Sequence, residues 1–154
     1  MKHFSRILLP VIFLIFFWTE AANAQSGKFG VGIIAGEPTG LSLKYKLSQN
    51  NAIDAAAAWS FLKEAAFHVH ADYLFHDYSL INVTKGRLPF YYGIGARLKL
   101  SEKSRVGVRI PLGLAYEFAN SPVDIFLEVV PLLDLAPSTE LNLNGAVGVR
   151  FYFE

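Results

Sequence analysis

The chain has no cysteine, almost no net charge and no long apolar run, and each shortage removes a class of protein. Without cysteine there can be no disulfide, no thiolate metal centre and no lipid attached through a cysteine. Strand pairing and packing alone must hold the fold. Lys plus Arg number 14 and Asp plus Glu 13, a formal +1, which offers no basic surface for nucleic acid. The longest apolar run, residues 7–18, has 12 residues, short of the roughly 20 that a transmembrane helix needs. Nothing Pro- or Ser-rich and no repeat of solenoid length divides the chain, so one domain is expected.

What is present begins with that short apolar run. Lys2 and Arg6 precede it, and Ala22-Asn23-Ala24 follows it as a small-x-small pattern before Gln25. Residues 1–24 therefore read as a cleaved secretory signal peptide, and residues 25–154 as the exported domain. Lys2, Arg6 and Glu20 leave with the leader, so the mature chain is formally neutral.

The mature part alternates apolar and polar residues in segment after segment, the mark of half-buried strands. Eight strands are expected, over residues 29–35, 41–47, 52–61, 65–76, 90–100, 105–118, 123–135 and 141–153, with turn residues such as Gly36-Glu37-Pro38-Thr39-Gly40 between them. Alanine in residues 51–66 favours helix, but the strict period of two outweighs it. Pro111 and Pro131 lack a ladder donor and should mark bulges or kinks. Eight alternating strands with mostly short links predict an antiparallel up-and-down barrel, because closure removes exposed edges.

Such a barrel has two possible polarities. In a soluble binder the apolar face lines the interior, whereas in an outer-membrane barrel it meets lipid. The other face here carries Gly30, Gly32, Ala56, Ala58, Gly93, Gly95, Gly107, Gly113, Ala146 and Gly148 among its charges. Small residues suit a crowded interior, where each large side chain needs a small one opposite. The apolar face places aromatics such as Phe29, Tyr45, Trp59, Phe61, Tyr73, Phe75, Tyr116 and Phe153 toward strand ends, as an interfacial girdle would. An eight-stranded transmembrane β-barrel of the bacterial outer membrane is the expected fold.

Its lumen then receives Lys44, Lys46, Arg97, Lys99, Arg105, Arg109 and Arg150 against Asp54, Asp72, Glu117, Asp124, Glu128 and Asp134. Buried charges must pair. Counting across the last hairpin sets Glu128 nearly opposite Arg150, with Arg109 diagonal to Glu128, so a plug of Arg109, Glu128 and Arg150 is expected with Arg97, Asp124 and Asp134 in the same lumenal set. His68-x-His70-x-Asp72 invites a metal reading, but same-face neighbours on one strand stand about 7 Å apart, so lumenal filling is favoured and no cofactor is expected. Ser60, His68 and Asp54 face the lumen on neighbouring strands, yet no nucleophile motif surrounds Ser60, and no catalysis is expected. Gly30-x-Gly32 and Gly93-x-Gly95 lack the strand-to-helix turn of a phosphate loop.

Residues 36–42 (GEPTGLS), 91–97 (YYGIGAR), 109–116 (RIPLGLAY) and 124–135 (DIFLEVVPLLDL) resemble a family of small, uncharacterised bacterial outer-membrane barrels, similar in architecture to the membrane domain of the OmpA superfamily. The resemblance spans nearly the whole mature chain. It implies export, insertion by the barrel assembly machinery and contact with outer-membrane lipid, and it carries no activity onto particular residues. A structural or interaction role with a filled lumen is the leading expectation, with an extracellular partner open. A small-solute pore is the alternative, and a soluble calycin-like binder of apolar ligands the third.

Overall fold

The computed structural model describes residues 27–37, 39–60 and 65–153. The expected leader, Phe61 and Glu154 lie outside them. Among the described residues nine strands form one antiparallel sheet: β1 (Phe29–Glu37), β2 (Thr39–Lys46), β3 (Asn51–Ser60), β4 (Ala66–Asp77), β5 (Phe90–Leu100), β6 (Arg105–Arg109), β7 (Leu112–Glu117), β8 (Val123–Ala136) and β9 (Glu140–Phe153). Each pairs with its sequence neighbours except that β6 and β7, placed end to end, both pair with β5 and β8, and β1 also pairs with β9 from Phe29↔Phe153 to Glu37↔Gly145. The pairings close into a ring, so the sheet has no free side along most of its length.

The segment expected as one strand over residues 105–118 is two, β6 and β7. Pro111 separates them because it has no amide to give to the ladder. Register survives the break: against β5 the pairs run Gly95↔Arg109 and then Tyr92↔Leu112, and against β8 Arg109↔Leu132 and then Leu112↔Val129. Gly93 N still donates to Pro111 O, and Ile110 N to Pro131 O, both at 3.0 Å. Pro131, the other expected irregularity, lies within an unbroken β8. The bulge in that ladder falls at Leu135 instead, between Val106↔Ala136 and Gly107↔Asp134.

Period two sorts the side chains cleanly. On β8, Asp124, Phe126, Glu128, Val130, Leu132 and Asp134 point inward and are buried, while Ile125, Leu127 and Val129 are exposed on the outer face. Leu127 is 58% exposed and the adjacent Glu128 7%. The molecule is thus apolar outside and polar within, the reverse of a soluble domain. Two large inner rings fit because glycine faces them: a Cβ on Gly148 would strike the Phe126 ring, and one on Gly113 the Tyr91 ring.

The two rims differ. At the terminal end lie Gly27, Phe153 and the links 47–50, 78–89 and 118–122; at the far end lie the links 101–104 and 137–139, with the last described residues of β1 and β3. Outward aromatics crowd the terminal end rather than both ends. Phe29 meets Phe153 edge-on with centroids 5.2 Å apart, Phe75 stacks with Tyr92 at 5.5 Å, and Tyr116 meets Phe118 at 4.9 Å. At the far end the described outward aromatics are Trp59 and Phe67, 5.4 Å apart. There the β8–β9 hairpin also projects, since β1 stops at Glu37 opposite Gly145 while residues 140–144 continue against β8.

Candidate functional site

Because the inner face is set by period two, charges from distant parts of the chain meet inside the ring. Arg150 on β9 is 1% exposed and sits at the hub. Its Nε donates to Ser42 Oγ at 2.9 Å, Nη2 to Asp54 Oδ2 at 2.9 Å, and Nη1 to Asp124 Oδ2 at 3.4 Å. Its guanidinium also lies 3.8 Å from the Phe126 ring centroid. Every polar edge of this buried cation is met, which is what a desolvated guanidinium requires.

Arg109 makes the second knot. Its Nε lies 2.9 and 3.0 Å from the two Asp72 oxygens, its Nη2 donates to Glu128 Oε1 at 3.1 Å, and its Nη1 stands 3.2 Å from His70 Nδ1. Tyr91 donates to the other Glu128 oxygen at 2.9 Å. Toward the far end Arg97 Nη2 donates to Asp134 Oδ1 at 2.6 Å, and Asn142 to Asp134 Oδ2 at 3.1 Å. Arg105 adds a 2.6 Å bond to Glu140.

The six charges expected to form the lumenal cluster, Arg97, Arg109, Glu128, Arg150, Asp124 and Asp134, all lie on the inner face and are buried. Arg109 meets Glu128, Arg97 meets Asp134 and Arg150 meets Asp124. Glu128 does not face Arg150. The last hairpin turns about Pro137, with Asp134 opposite Glu140, which puts Asp124 across from Arg150 and Ala146 across from Glu128. Sequence reasoning left Asp54, Asp72, Ser42 and Tyr91 out of the cluster. The first two were legible as inward carboxylates, but no sequence signal gives the distance across the ring.

His70 and Asp72 gather with Asp54, their ligand atoms within 4.8 Å of one another, whereas His68 stands apart from that group. Asp72 is held by Arg109 and Asp54 by Arg150. Two guanidiniums occupy the electrostatic place a divalent ion would need. Ser60 and His68 are both buried, but Asp54 is bonded to Arg150, and His68 lies opposite Ala58, four residues along β3 from Asp54. At roughly 3.3 Å per residue that is about 13 Å, so the three do not form a relay.

The terminal rim is strapped by the 78–89 link. Arg87 and Glu117 exchange backbone hydrogen bonds at 2.9 and 2.8 Å, Tyr116 Oη donates to Lys85 O at 3.0 Å, and Gly86 takes φ +69°, where a Cβ would run into Glu117 O. The Glu117 carboxylate gathers Arg87 Nη2 at 2.6 Å, Tyr78 Oη at 3.0 Å and Lys46 Nζ at 3.7 Å. Burial and the neighbouring Glu117 push the Tyr78 phenol well above its ordinary pKa, so it stays a donor.

Residues 20–153 match the family described as "Protein of unknown function (DUF3996)". The chain belongs to that family. The N-terminal β-barrel domain of Pseudomonas aeruginosa OprF has a similar structure, with a TM-score of 0.62 at 14% identity over 81% of this chain and 96% of that one. At that identity the likeness speaks for the fold, and it agrees with the resemblance to OmpA-type barrels. No curated protein matches.

Proposed function

We propose that this DUF3996 member is an integral outer-membrane β-barrel of eight transmembrane crossings, with β6 and β7 forming one of them, exported by its leader and inserted by the barrel assembly machinery. Its role is structural or interactive and not catalytic, and its interior is filled by ion pairs. The inverted polarity of the closed ring carries this reading. Arg150, Asp124 and Asp134 are wholly buried while Leu41, Ile94, Leu127 and Val147 stand bare on the outer face, an arrangement that water disfavours and lipid stabilises. A soluble binder of apolar ligands would need the opposite lining.

Membrane fractionation and planar-bilayer recording test it. The protein should fractionate with outer membranes, migrate faster on gels before boiling than after, and give no steady conductance when refolded into bilayers. Recovery in the soluble periplasm would end the barrel reading. Steady channels altered by Arg109→Ala or Glu128→Ala would end the filled-interior reading and establish a pore.

A further inference from the structure

The terminal rim carries more positive charge than its own carboxylates use. Lys46 and Arg87 border two adjoining cavities of about 260 and 410 Å³, the first also lined by Glu117, Ser121 and Tyr152, the second by Lys28, Gln49 and Tyr78. One step further in on the same face of β2, Lys44 is 1% exposed. Its Nζ lies 2.7 Å from His76 Nε2 and 5.5 Å from the Tyr91 ring, and among the described residues no carboxylate oxygen comes within ion-pair distance of it. Asp124, the next acid inward, is taken by Arg150 and by Tyr152 Oη at 2.6 Å. Among the described residues, Glu117 is the one carboxylate within ion-pair distance of any of the four cations Lys28, Lys44, Lys46 and Arg87.

Glu117 answers as a ligand would. One oxygen accepts a phenol O–H with an ammonium at longer range, and the other lies against a guanidinium in an ion pair, the groups a protein offers to a carboxylate or phosphate. Arg87 is mostly exposed, at the edge of both cavities, so its fork can turn from Glu117 toward a solute without unpacking the ring. Lys46 is held over the Tyr152 ring at 4.2 Å, which keeps its charge aimed into the first cavity.

We infer that this rim is a binding site for a phosphate-bearing solute, with Arg87 and Lys46 as its contacts, Lys28 and Lys44 supplying field, and the Glu117 carboxylate as the resident group that the ligand's oxyanion displaces. Two cavities sharing the same two cations suit a ligand with two adjacent oxyanion groups, such as a diphosphate. The same chemistry could reach the site as a free solute or as a phospholipid headgroup.

The probe is inorganic pyrophosphate, titrated calorimetrically at low salt into the full mature chain in non-ionic detergent, with an anionic phospholipid in mixed micelles as the second arm. Glu117→Gln, which keeps size and the bond to Tyr78, should tighten binding about tenfold, whereas Arg87→Gln and Lys46→Gln should each weaken it at least tenfold. Raising salt from about 50 to 200 mM should erode binding, as screening requires. Response to pyrophosphate identifies a free solute, and response to the micelles alone a headgroup. Heat-modifiable gel migration shows that each variant remains folded. Binding in neither arm, or a Glu117→Gln affinity equal to or weaker than that of the parent, overturns the proposal.

Discussion

Arg150 shows how a charge can be the centre of a fold without being a source of net stability. Moving a guanidinium out of water costs several kcal/mol, and Asp54, Asp124, Ser42 and the Phe126 face offset that cost only while all are in place. Arg150→Ala should therefore lower unfolding stability by about 3–5 kcal/mol, because it strands Asp54 and Asp124 in the interior. Urea titration of the protein refolded in lipid vesicles measures it. Adding Asp54→Asn to that variant should recover part of the loss, and a double variant no better than the single one would refute the account. At this scale the identity of the inner residues was legible and their partners were not. Period two alone places Arg150, Asp124, Asp54 and Glu128 on one face. Who meets whom depends on where the 137–139 turn is centred, and a shift of its centre by two residues exchanges Asp124 for Glu128.

At the scale of elements, the proline that breaks a strand and the proline that does not are equally visible in the sequence. Pro111 interrupts the β6–β7 crossing and Pro131 leaves β8 whole, although both keep their carbonyls in the ladder with Gly93 and Ile110 as donors. Composition cannot tell these cases apart, because the cost of a missing donor depends on what the neighbouring strand offers. The β8–β9 hairpin has a sharper consequence. Pro131 O points to Ile110, so in an antiparallel strand the groups of Leu132, and of Asn142 opposite it, point between β8 and β9. Those of Leu141 and Leu143 then point to the side that β1 vacates after Glu37, where no described strand pairs with them. Their amides should exchange with solvent deuterium well ahead of Asn142 and of Val147, which sits opposite Ala35. Equal protection across residues 141–147, read by NMR in micelles, would show that something covers the edge.

At the scale of the whole molecule the two rims differ in chemistry, and on the proposed membrane reading that difference would orient the barrel across the bilayer. The terminal rim has a near-continuous outer ring of Phe and Tyr and the strapped, cation-rich mouth; the far rim has Trp59 and Phe67, short links and the bare Leu141 and Leu143 of the projecting hairpin. Tyr and Trp side chains settle at the headgroup level because one part of each is apolar and another polar. On that reading the terminal rim should sit at one interface, and Trp59 should mark the other. The chain has two tryptophans, Trp18 in the proposed leader and Trp59, so a protein cleaved after Ala24 would carry a single reporter. Trp59 is partly exposed on the outer face near the far end of β3. Refolded into vesicles whose lipids carry bromine at chosen depths, its fluorescence should be quenched most by bromines close to the headgroups and least by those at the bilayer centre. Strongest quenching at the centre would place the far rim inside the hydrocarbon and shorten the span, and no quenching at any depth would take the outer face out of lipid altogether.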